Sequence, residues 1–165
     1  MHLQVEGRSM ILRATEEDVL HALASLRRYG SSSYAVLADA AGSCIQVAGG
    51  GQTCAVEIKG IAPGYHRRAH KAKRHLSYPH GTRLAFGAGV LELFSDEWFT
   101  VDEAATLFLE FHRGEWPPTS AAGWRDVSGA RNRPRYQRLS VDPVRSPGYS
   151  CAATSRTGQI FSAHA

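Results

Sequence analysis

Apolar positions along this chain recur with two periods, and the changes from one to the other mark its elements. Val19, Ala22, Leu23 and Leu26 are spaced by three and four, which predicts a helix with one apolar stripe. Thr15 with Asp18 three residues later supplies the start, a hydroxyl for a free first-turn amide and a carboxylate at the positive helix end. Gly30, after Arg27 and Arg28, supplies the stop. A period of two follows. Ser33 to Ala38 and Cys44 to Ala48 flank the turn Asp39-Ala40-Ala41-Gly42, and Gly49-Gly50-Gly51 separates them from Thr53 to Lys59. In that third run Cys54, Val56 and Ile58 share one face, with Thr53, Ala55, Glu57 and Lys59 on the other, as in a half-buried strand. Thr82 to Phe86 and Val90 to Phe94, joined by Gly87-Ala88-Gly89, predict a further hairpin.

The helical period returns after the corner Ser95-Asp96-Glu97-Trp98-Phe99. Thr100 and Glu103 form a TxxE capping box, Ala104, Ala105, Phe108 and Phe111 repeat at helical spacing, and Gly114 ends the run. Glu115-Trp116-Pro117-Pro118 leaves in extended form. Trp124 to Val127 reads as a short last strand or an ordered extended segment, and Trp98, Trp116 and Trp124 gather toward this end of the fold. The expected fold class is α+β: an antiparallel meander of about five strands with two packed helices over residues 1–127. Residues 128–165 lack apolar periodicity and are rich in Ser, Gly, Pro and Arg, the composition of a flexible basic tail.

Composition refines this picture in three places. The 165 residues suffice for one domain with a core. No apolar run reaches the roughly 18 residues of a membrane span, and the first residues lack the features of a signal peptide, so a cytoplasmic protein is expected. Three cysteines without a CxxC pair fit a reducing compartment, with Cys44 and Cys54 as packing residues. The net charge of +4 is uneven, because the tail from Ser128 holds six arginines against Asp142. Lys59 to Arg83 carries seven bases and no acid, whereas Glu92 to Glu115 carries seven acids and one base. Such segregation steers charged partners or makes solvated surfaces that pair with each other.

Candidate chemistry concentrates between Pro63 and Gly81. His66, His70, His75 and His80 lie within fifteen residues, and on a helix His66 and His70 would share a face as two metal ligands do. Five neighbouring bases oppose a dication, and neither an HExxH glutamate nor interleaved cysteines accompany them, so no metal or other cofactor is expected. Tyr65 and Tyr78 among those bases suggest instead stacking and phosphate contact with nucleic acid. The glycine triplet at 49–51 lies between strands and reads as a turn, not a phosphate cradle. No ordered set of nucleophile, base and orienting group is present, so no catalytic residue is assigned.

The order of helix, hairpin, third strand, further hairpin, acidic-aromatic corner, capped helix and Pro-Pro exit, ending in Gly123-Trp124-Arg125-Asp126, resembles small immunity proteins of bacterial polymorphic toxin systems. The likeness is to the deaminase-inhibitor type of actinobacteria. It rests on Tyr34 to Asp39, Ile45 to Gly50, Leu91 to Trp98, Ala104 to Gly114 and Trp124. The resemblance implies a non-enzymatic domain that binds and blocks a cognate toxin. The binding surface then expected is acidic and aromatic: Glu92, Asp96, Glu97, Asp102, Glu103 and Glu110, with Trp98 and Trp116 as anchors. The alternative is a small nucleic-acid-binding or regulatory module that uses Lys59 to Arg83, with the basic tail making weak contacts of its own.

Overall fold

Capping and strand alternation act where the sequence places them. In the computed structural model, which describes residues 1–28 and 32–128, the Thr15 and Thr100 hydroxyls accept from the Asp18 and Glu103 amides, and both carboxylates reach back to the cap amides. Helix α1 (Glu16–Ala24) and helix α2 (Val101–His112) follow. The first helix is shorter than expected, closing at Ser25 six residues after Val19, but Leu26 is still buried in the loop beyond.

The strands are β1 (His2–Val5), β2 (Ile11–Leu12), β3 (Tyr34–Ala38), β4 (Cys44–Gly50), β5 (Thr53–Lys59), β6 (His66–His70), β7 (Thr82–Phe86), β8 (Gly89–Leu93) and β9 (Gly123–Asp126). Seven of them form an antiparallel sheet in the order β2-β1-β3-β4-β5-β6-β9. The α+β class, an antiparallel sheet with two packed helices, is as expected, and the strand count of about five is exceeded for two reasons. Strands β1, β2 and β6 form without clear alternation, in addition to β9, where the sequence reads as a short last strand, and the β7–β8 hairpin leaves the sheet to stand alone.

Both faces of the sheet are covered, for different reasons. On one, Ile58, Ile45, Leu37, Leu3 and Ile11 lie opposite one another across five strands, a single apolar row on which Leu23, Leu107 and Phe108 of the helices pack. On the other, the paired small residues Ala48 and Ala55 let the hairpin approach, so that Leu84, Leu91, Leu93 and Trp98 close a second core. Thr53, Ala55 and Glu57, expected to face solvent, are therefore buried as well. Gly50 has a packing reason: a Cβ there would lie 2.7 Å from the Leu26 backbone. Cys54 is a free buried thiol, pushed by burial and by the Glu103 charge to about 12, and Cys44 is likewise fully buried in its strand. No helix among the described residues is long and apolar enough to cross a membrane. The tail expected over 128–165 falls, Ser128 apart, outside the described residues.

Candidate functional site

A third row crosses the hairpin side of the sheet. Gln46, Glu57, Arg68 and Arg125 stand opposite one another on β4, β5, β6 and β9, so four polar side chains meet where the hairpin shuts out water. Glu57 Oε2 accepts from Gln46 Nε2 at 2.8 Å and lies 2.8 Å from His66 Nε2, and its Oε1 accepts from Arg68 Nε at 2.8 Å. Arg68 Nη1 donates to Glu97 Oε2 at 3.2 Å, and Arg125 Nη1 donates to Glu97 Oε1 at 2.6 Å. Arg125 then grips Asp96 with both terminal nitrogens, at 2.8 and 3.2 Å. Charges alternate along this chain of contacts, so each carboxylate faces at least one cation. That arrangement makes burial of Glu57, Arg68 and Glu97 tolerable in a poorly polarisable interior. Burial alone would raise the Glu57 pKa, but the His66 hydrogen bond and the Arg68 charge overcome it and hold the carboxyl at about 2. Asp96 is likewise lowered: burial opposes this, but the Arg125 hydrogen bonds and charge prevail.

The network holds the corner of residues 93–98 against the sheet, and the corner holds the loop of residues 71–81. Lys71 N donates to Asp96 O at 2.8 Å, His75 N to Ser95 O at 2.6 Å, Ser95 N to His80 Nδ1 at 3.0 Å, and Gly81 N to Leu93 O at 2.9 Å. Rings add a second tie, with His75 over Tyr78 at 4.6 Å and Tyr78 stacked on Trp98 at 4.3 Å. Phe94, partly exposed, lies beneath the Arg125 guanidinium at 4.8 Å and meets the His80 ring edge-on at 5.3 Å. At the loop tip Leu76 is wholly exposed, and Lys73 and Arg74 beside it have no acidic partner among the described residues.

This geometry corrects the expected acidic face. Glu97 and Trp98 are fully buried, the first between two arginines and the second under Tyr78. Glu110 is buried too, where it accepts from the Thr119 and Ser120 amides and the Ser120 hydroxyl and so fastens the segment after α2. Asp96 is committed to Arg125, and Glu103 to the α2 cap and to Lys71 Nζ at 2.6 Å. Among the six acids only Glu92 and Asp102 are openly exposed, and Glu92 stands opposite Arg83 in the hairpin. Trp116 is partly exposed, resting on Tyr65 and Phe111 near Gly60. Gly60 follows the last residue of β5, whereas the corner joins the start of that strand through Cys54 and Phe99. Six residue steps, about 20 Å of strand, separate the two, so Trp116 shares no surface with Trp98.

The histidines do not converge either. His66 and His70 lie at the two ends of a strand, not on a helix, and His66 serves Glu57. Among the described residues no three His, Cys, Asp or Glu side chains form a group able to hold a metal ion. Tyr78 is sandwiched between rings, and Tyr65 is covered by Arg67 and Trp116, so neither offers the free face that base stacking needs. The residues that organise this site, Glu57, Arg68 and Arg125, were not expected in it, because charge within a strand ordinarily signals the solvent side. No protein-family model matches the chain, and no curated protein or solved structure matches it.

Proposed function

We propose that the chain is a non-enzymatic binding domain of the immunity-inhibitor kind, which neutralises a cognate toxin by docking a surface that is ordered before the partner arrives. The observation that carries this reading is the loop of residues 71–81, tied to the corner at four backbone amides, with Leu76 exposed at its tip and Phe94 exposed on the corner beneath Arg125. A loop held in place before binding loses little conformational entropy on association, and an exposed aromatic with an arginine over it has the composition of an energetic anchor. The sign of the surface differs from the acidic face expected from sequence. The corner's carboxylates are neutralised from within, so Lys73 and Arg74 dominate the rim and favour an acidic border on the partner.

The test is protection of cells that express the toxin domain encoded beside this chain. Full-length protein carrying Leu76→Asp with Phe94→Ala is expected to lose protection while melting as the parent does, and Asp102→Lys is expected to keep it. Protection that survives the double substitution would reject this surface. The same Lys73 and Arg74 favour a second reading, contact with nucleic acid. Titration of labelled RNA and DNA at about 50 and 200 mM salt separates the two, because phosphate contacts weaken steeply with salt and apolar docking does not. Tight binding at the lower salt that collapses at the higher, without any protection, would put the second reading first.

A further inference from the structure

The geometry points to a two-fold homodimer formed by antiparallel pairing of β2 with the β2 of a second copy. The apolar row of the helix-covered face, Ile58–Ile45–Leu37–Leu3–Ile11, does not end at a polar residue. It runs to the edge of the sheet and stops at Ile11, which is 39% exposed, whereas Leu3 beside it is 1% exposed. Met10 and Leu12 on either side are 51% and 65% exposed, so three consecutive large apolar side chains occupy a strand edge that is open among the described residues. Edges of this kind are ordinarily blunted by charge, proline or a bulge, and the opposite edge of this sheet, β9, carries Arg125 and Asp126. Met10-Ile11-Leu12 has none of these.

A second copy fits this edge through its own symmetry. Pairing centred on Ile11 sets Ile11 against its equivalent and Met10 against Leu12, and the charged Arg8 and Arg13 that flank the triplet lie across from Ala14 and Ser9, so no like charges are brought together. The apolar row then continues across the axis from one subunit into the other, and each exposed side chain gains an apolar neighbour. Arg13 has φ of +58°, which turns the chain aside after Leu12 and confines the pairing to that triplet. An interface of this type closes on itself, so it yields dimers and not fibres. It lies on the far side of the sheet from β9 and does not depend on the toxin-binding reading.

Sedimentation equilibrium of the full chain from low to high micromolar concentration is expected to show a monomer–dimer equilibrium. Leu12→Lys with Met10→Lys is expected to shift it at least tenfold toward monomer without changing the circular dichroism. Ile11→Cys tests the register independently: on mild oxidation it is expected to give a covalent dimer, whereas Arg8→Cys is not. A parent chain that remains monomeric at high micromolar concentration overturns the inference, as does a dimer that survives the lysine substitutions or a cross-link that forms at position 8 and not at 11.

Discussion

Arg68 lies between two buried carboxylates, and removing it would leave both short of a cation. Arg68→Met is therefore expected to cost about 3–5 kcal/mol despite the apolar replacement, as measured by urea unfolding, because the partners stay behind as buried charges. Glu57 sets the acid limit of stability. Its carboxyl titrates at about 2 in the folded chain against an ordinary 4.5, so the unfolded state binds more protons between these values. The resulting stabilisation is complete above about pH 5, is lost as pH falls toward 2, and amounts to on the order of 3 kcal/mol. Thermal melts of Glu57→Gln between pH 2 and 7 should show a lower plateau and a flatter acid limb. An acid limb as steep as the parent's would mean that Asp96 and Glu103, both also lowered, govern acid unfolding instead. None of this was legible from residue types. A lone Arg68 in a basic run looks like a solvated side chain, and its burial depends on Glu57 and Glu97, eleven and twenty-nine positions away.

Elements with a local cause were legible, and those with a distant cause were not. The two capping boxes are written within four residues each, and both helices start where they predict. Thr100→Ala is expected to cost about 1 kcal/mol, seen as a drop of about 4 °C in melting temperature. The runs Ser33 to Ala38, Cys44 to Ala48 and Thr53 to Lys59, read as strands, form β3, β4 and β5, whose alternate apolar residues face the helices. Strand β6, His-Arg-Arg-Ala-His, has no such pattern, since its inward hairpin-side residue is charged and its helix-side face holds Arg67 beside the buried Ala69. It is a strand because β5 and β9 pair with it on either side. The glycine triplet, read as a turn between strands, lies partly within β4, which runs through Gly50, and Gly50 also permits the close approach to Leu26. Gly50→Ala is expected to destabilise by about 1–3 kcal/mol, measured by chemical denaturation.

At the scale of the whole molecule, the acids and bases that segregate along the sequence meet in space. Arg68 and Lys71 from the basic run find Glu97 and Glu103 of the acidic run, and Arg67 finds Asp126 beyond it, so part of the charge that segregates along the sequence pairs in one lattice. That lattice has a consequence for how the chain is made. Its last cation, Arg125, follows Glu97 by twenty-eight positions, and its strand β9 pairs with a strand more than fifty positions earlier. Synthesis proceeds from the N-terminus at roughly 5–20 residues per second, so a nascent chain holds Glu97 for on the order of seconds before Arg125 exists. Contacts of such long sequence separation also form slowly. A ribosome-bound chain stalled at residue 122 is therefore expected to be protease-sensitive around the corner, and one stalled far enough on to expose Arg125 to be resistant. The final strand would thus act as a timer, withholding the finished corner and its loop until translation of the domain is complete.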